Sequence, residues 1–116
     1  MTFKLGGYMG KYLRVDLTTG KINDVPLPEE MAIDYLGGNG FGTKALWDEV
    51  GPDVDPLAPE NRLIFATGPL TGTVFPTAGR LEVIAKSPLT GIYGDANSGG
   101  HFTPELKHSG YDMIVF

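Results

Sequence analysis

The 116-residue chain contains no cysteine. Its residues therefore cannot by themselves form disulfides, thiolate zinc sites, haem thioether links or cysteine-held iron–sulfur clusters. Positive charge is also scarce, with nine lysines and arginines against fourteen carboxylates and a net charge of −5. Nucleic-acid binding depends on cations that displace counterions from phosphates, so no nucleic-acid partner is expected and any bound anion must be gripped locally. Long apolar runs are missing too. Ahead of Lys11 the longest uncharged stretch is Leu5–Gly10, six residues of which three are glycine, too short for a leader's apolar segment or a membrane span. No membrane partner is expected, and the lack of cysteine agrees with a cytoplasmic location.

Hydrophobic residues make up 41% of the chain, enough for one core, while seventeen glycines and nine prolines imply many fixed turns. Residues 1–8 are read as an N-terminal tail and 9–116 as one domain. Lys11–Leu17 alternates polar Tyr12, Arg14 and Asp16 with apolar Leu13, Val15 and Leu17, the period of a half-buried strand. Thr18-Thr19-Gly20 supplies a turn into a second strand at Lys21–Leu27, so an antiparallel hairpin is predicted. Pro28-Glu29-Glu30 opens a helix in which Met31, Ile33, Tyr35 and Leu36 face the core, and Gly37-Gly38 stops it. A second helix is predicted over Phe41–Val50. The carboxylates Glu29, Glu30, Asp34, Asp48 and Glu49 are read as solvated, and Tyr35 and Trp47 as core.

Asp53–Asn61, with two prolines and three carboxylates, reads as a surface loop before a buried strand at Arg62–Ala66. Further strands are predicted at Leu81–Lys86 and Tyr111–Phe116, with a short helix at Thr103–Lys107 capped by Thr103 ahead of Pro104. The fold class is α+β, mainly antiparallel sheet with short helices. Because Tyr111–Phe116 ends without cap or turn, the domain is expected to be truncated at its C-terminal end.

Three turn-rich segments carry the chemistry: TGPLTGTVFPTAGR (67–80), KSPLTG (86–91) and ANSGGHF (96–102). Glycine lets the backbone approach a ligand, and successive N–H groups in such turns form anion sites without a basic side chain. None is a Walker loop or a dinucleotide fingerprint, and Gly37–Gly42 lies between two helices. Arg80, just before a strand, offers a planar five-donor fork for a phosphate or a ring edge. His101 and His108 lack a second metal-ligand pair, and Ser98 lacks a nearby base. The residues alone reach a small-molecule or cofactor cradle. A free-standing binding or assembly module and a nucleotide-phosphate binder both stay open.

Gly10–Gly20 (GKYLRVDLTTG), Tyr35–Gly38, DPLAPENRLIFATGPLTGT, the Gly79-Arg80 step, KSPLTG, ANSGG and ELKHSGYDMIVF, in that order, resemble the start of the aldehyde ferredoxin oxidoreductase family of tungsten enzymes. The resemblance runs through nearly all of the chain after Tyr8. It implies the family's N-terminal domain, a largely β base for a tungsten (or molybdenum) bis-pyranopterin dithiolene whose phosphates are bridged by magnesium. It implies aldehyde oxidation to carboxylic acid, with electrons leaving through a [4Fe–4S] cluster to ferredoxin. The cluster's cysteines would come from later parts of the parent chain, so this chain alone would not be catalytic. Partners implied are the pterin cofactor, ferredoxin and the remaining domains, with a homodimer as one assembly state. By position, Arg80 resembles the arginine bridging pterin and cluster, and Asn97 the residue whose backbone carbonyl reaches magnesium. Ser98, Gly99 and Gly100 would line the pterin and phosphate region. Asn39 departs from the arginine found in many relatives.

Overall fold

The computed structural model describes residues 3–116. The alternating run Lys11–Asp16 forms β1 and Lys21–Pro26 forms β2, paired antiparallel as expected and one residue shorter each than predicted. Asp16 builds the turn. Its Oδ1 accepts the N–H of Thr18 at 2.9 Å and of Thr19 at 3.2 Å, and Gly20 closes the turn at φ 73°. Helices α1 (Glu29–Tyr35) and α2 (Asn39–Glu49) follow, then β3 (Leu63–Thr67), β4 (Leu81–Lys86), β5 (Tyr93–Ser98), α3 (Phe102–His108) and β6 (Met113–Val115).

One sheet runs in the order β2-β1-β6-β3-β4-β5. All pairings are antiparallel except β1 with β6, so the predicted α+β class holds, with one parallel contact added. The final strand thus enters the sheet interior, where Met113 and Val115 are 1% exposed. Helix α2 packs across β3 and β4, and Phe41, Leu46, Ile64, Ala66, Ile84, Met113 and Val115 form the core with Leu27 and Ala32. The approach is close because position 42 is glycine. A Cβ there would lie 2.3 Å from Ile84 Cδ1, well inside contact distance.

Several expectations fail for identifiable reasons. Trp47 is 83% exposed, since α2 turns its neighbour Leu46 to the sheet and the next residue lies about 100° round the helix. In the short α1 only Ala32 is buried, leaving Ile33, Tyr35 and Leu36 exposed. Thr103 is not a cap: α3 starts at Phe102 behind His101, and the fully buried Thr103 hydroxyl lacks a protein partner among the described residues. Ala96–Ser98, read as turn, belongs to β5. Residues 3–8, read as tail, pack down through Phe3, Leu5 and Tyr8, with the Tyr8 ring 6.0 Å from that of Phe41. Met1 and Thr2 of that segment lie outside the described residues.

Glu49, expected in solvent, receives both Arg14 terminal nitrogens and, at 2.8 Å, Arg62 Nε. The pair ties the end of α2 to β1 and to the residue ahead of β3. The hydrogen bonds from Arg14, helped by Arg62, hold its carboxyl below its ordinary value of 4.5. A lowered folded-state value contributes stability that is complete above about pH 4.5 and is lost as pH falls through the folded value. Glu49→Gln should therefore cost about 1 kcal/mol at neutral pH, discounted for partial exposure. The urea midpoints of variant and wild type should converge as pH drops below 4.5. A gap unchanged between neutral and acid pH would show that the charge of Glu49 does not stabilise the fold.

Candidate functional site

Strand β3 ends, β4 begins and β5 ends at one edge of the molecule, where Thr67 pairs with Leu81 and Leu81 with Ser98. The α1–α2 junction lies over the same place. Between them is a cavity of about 300 Å³, lined by Leu36–Asn39, Ala66, Gly68, Pro69, Thr71, Arg80–Glu82 and Asn97. That is at the small end of ligand-pocket volumes, the size of one wall of a larger site.

Arg80 stands one residue before β4, Glu82 is the second residue of that strand, and the register sets Asn97 directly opposite Glu82. Positions 80 and 82 share a face because strand side chains alternate. Arg80 Nε donates to Asn97 Oδ1, and Asn97 Nδ2 donates to Glu82 Oε1. The result is a cation–amide–anion relay. Only Nε of the guanidinium is used, so among the described residues both terminal nitrogens are free to bind. Glu82 Oε2 is shielded from solvent and has no protein partner there. Gly99 lies beneath the guanidinium, since a Cβ at that position would sit 2.9 Å from Arg80 Nη1.

The backbone donors differ from expectation. In the Gly68–Gly72 turn the N–H groups of Gly68, Thr71 and Gly72 close the loop itself, onto Thr71 Oγ1, Gly68 O and Ala78 O. They are unavailable to an anion, because a tight turn consumes its own amides. The N–H groups of Gly99 and Gly100 have no protein acceptor among the described residues. Free donors thus gather around Arg80 and Gly99-Gly100.

Of the residues singled out from the sequence, Arg80, Asn97 and Gly99 come together. Gly100, at φ 92°, turns the chain away from β5. The Ser98 hydroxyl is 3.3 Å from Gly99 O, and Ser98 is absent from the cavity wall. Asn39 sits at the rim, where its Oδ1 accepts the Tyr93 hydroxyl at 3.0 Å. His101 is exposed, and His108 Nε2 lies 2.8 Å from Gly72 O.

The sequence reading missed the clamp behind the site. Lys107 Nζ donates to Gly68 O at 2.9 Å and lies 3.1 Å from the Asp112 carboxylate. Both side chains are buried, at 3% and 0% exposure. Asp112 also accepts the N–H groups of Met9 and Gly10, and its own carbonyl takes Thr67 N–H and Oγ1–H. Burial lowers the Lys107 pKa, and the Asp112 charge opposes that shift. With Lys107 at Gly68 and His108 at Gly72, α3 grips both ends of the turn. On the other side of that turn, Thr71 Oγ1 donates to Arg80 O at 3.1 Å. The one signal in the sequence was a lone aspartate inside an apolar run, YDMIVF.

Fold and site define an α+β domain that presents a guanidinium, an amide and a carboxylate to a cavity at a sheet end. The chain belongs to the aldehyde ferredoxin oxidoreductase family: the pattern described as "Aldehyde ferredoxin oxidoreductase, N-terminal domain" matches residues 12–116. It is 58% identical over 109 residues to a tungsten-containing aldehyde ferredoxin oxidoreductase of Pyrococcus abyssi, covering 94% of this chain and 18% of that protein. It is 42% identical over 112 residues to the "Aliphatic sulfonate oxidoreductase, WOR-like subunit" of Pyrococcus furiosus, covering 93% of this chain and 18% of that protein. Among solved structures, the active-site complex of benzoyl coenzyme A reductase superposes with a TM-score of 0.93 at 44% identity, over 96% of this chain and 17% of that one. The chain thus spans under a fifth of the length of the curated relatives it matches. The expected family and fold are both borne out.

Proposed function

We propose that this chain is the cofactor-cradling portion of a tungsten bis-pyranopterin oxidoreductase that oxidises aldehydes to carboxylic acids and passes electrons through a [4Fe–4S] cluster to ferredoxin. The observation that carries the reading is the Arg80–Asn97–Glu82 relay at the cavity, in a domain 58% identical to one whose parent protein is named for its tungsten. The residues fit such a group. A glycine floor lies under Arg80, and among the described residues both terminal guanidinium nitrogens and the N–H groups of Gly99 and Gly100 have no protein acceptor.

When bound, the tungsten centre supplies the two-electron chemistry, and the protein orients it and tunes its surroundings. Arg80 provides a fixed fork for a phosphate or the polar edge of a pterin ring. Asn97 spends its side chain on Arg80 and Glu82, leaving its backbone carbonyl as the proposed ligand to magnesium, which prefers oxygen donors. Gly99 and Gly100 present N–H groups to the phosphate region, whereas the Ser98 side chain, turned to the other face of β5 from Asn97, takes no part in the proposed contact. The cluster cysteines and most of the substrate pocket belong to the remainder of the parent chain. The similar domains in sulfonate-oxidoreductase and benzoyl coenzyme A reductase proteins support placing substrate choice there too.

Elemental analysis of the intact enzyme tests this directly. Tungsten or molybdenum should accompany the folded protein in stoichiometric amount, with a pterin released on oxidation. A folded protein holding neither metal would overturn the reading and favour a binding module without redox chemistry.

A further inference from the structure

Among the described residues, Glu82 is the one carboxylate on this cavity wall. Solvated surface does not account for it, because its Oε2 is shielded from solvent and without a protein partner among the described residues. Leaving such a shielded oxygen unsatisfied is unfavourable, so a fold that keeps it there calls for a reason. Its neighbours are specific. Oε1 accepts Asn97 Nδ2, and its Cγ lies under Gly38, where a Cβ would come within 3.5 Å, at the N-terminus of α2. A fixed negative charge suits that helix end.

Asn97 has two side-chain anchors, Arg80 through Oδ1 and Glu82 through Nδ2. Without Glu82 the carboxamide could rotate, and Arg80 would lose the acceptor that holds its fork. We infer that Glu82 is a positioning residue for the cofactor, acting through Asn97 to fix both the Asn97 backbone and the Arg80 guanidinium. Its oxygen holds the carboxamide in the orientation that leaves Oδ1 to Arg80, so that the guanidinium keeps its terminal nitrogens for an anionic or ring-edge ligand. This role rests on the proposed pterin site.

The test uses the intact enzyme loaded with its cofactor. The readouts are tungsten and pterin remaining per protein after prolonged dialysis, and the melting temperature of the cofactor-free form. Glu82→Ala should lose cofactor about ten- to a hundredfold faster than wild type, the range for groups that orient a metal site's contacts. Glu82→Gln keeps an acceptor oxygen at the same reach and should restore most of the retention. Asn97→Ala should match Glu82→Ala, and the double variant should lose no more than either single one, because both changes break the same link.

Wild-type retention in Glu82→Ala would overturn the inference. So would additive losses in the double variant, which would mean direct contact between Glu82 and the ligand. Should Glu82→Ala fail to fold, Glu82→Gln decides the matter: near-normal retention supports the role, and loss as severe as that of Asn97→Ala refutes it. Failure of the underlying site would look different, since wild-type enzyme would itself hold no metal or pterin.

Discussion

Arg80→Ala is expected to deplete the intact enzyme of tungsten and pterin by about ten- to a hundredfold in retention, the equivalent of one or two charge-assisted hydrogen bonds. The stability of the cofactor-free protein should change by no more than about 0.5 kcal/mol, as for an exposed substitution. The asymmetry follows from geometry. Arg80 is exposed and spends only Nε within the protein, on Asn97, while both terminal nitrogens stand free above the Gly99 backbone. Arg80→Lys keeps the charge but not the planar fork, and should restore only part of the retention. Metal content by mass spectrometry and pterin fluorescence after oxidation read the first effect, and thermal melting of the cofactor-free form reads the second. Unchanged cofactor content would remove Arg80 from the site. An equally large loss of stability would make it a structural residue.

The largest effect on folding is expected at Asp112→Ala, at about 3–5 kcal/mol, because it leaves the buried Lys107 cation uncompensated. Against a typical total of about 5–15 kcal/mol, that is enough to unfold much of the population. Two further losses accompany it, since the N–H groups of Met9 and Gly10 would lose their acceptor. Lys107→Met should cost less, as Asp112 would keep both backbone donors. Urea denaturation of the two variants checks the order. Hydrogen exchange should quicken at Gly68–Gly72 in both, since Lys107 holds that turn through Gly68 O. A loss below about 1 kcal/mol for Asp112→Ala would mean the pair is less desolvated than its burial indicates. The clamp also links fold to site, because the turn it grips reaches Arg80 through Thr71.

Much of this molecule could be read directly from residue order. The alternation in KYLRVD, the turn at Thr18–Gly20, proline and two carboxylates opening α1, and the apolar runs of β3 and β4 all became the elements they announce. These are local signals, set by backbone sterics and by the period at which side chains reach one face. Strand β5 was hidden for the complementary reason. YGDANS has no apolar alternation, and as an edge strand it buries almost nothing, so only β4 beside it makes it extended.

The site divides in the same way. Arg80, Asn97 and the glycines after it were visible by residue type, since a guanidinium before a strand and small flexible residues at a corner suggest a ligand whatever the fold. Glu82 was invisible, because one carboxylate in a strand reads as solvent-facing until a helix N-terminus is laid over it. Lys107 and Asp112 were invisible as a pair, although only five positions apart. Their burial depends on β6 entering between β1 and β3 and bringing Asp112 against Met9 and Gly10, about a hundred residues earlier in the chain. Local sequence thus determined the elements other than β5, the family resemblance and the chemical types at the cradle. Tertiary structure alone decided which charges are desolvated and which donors stay free, because both depend on contacts between segments far apart in sequence.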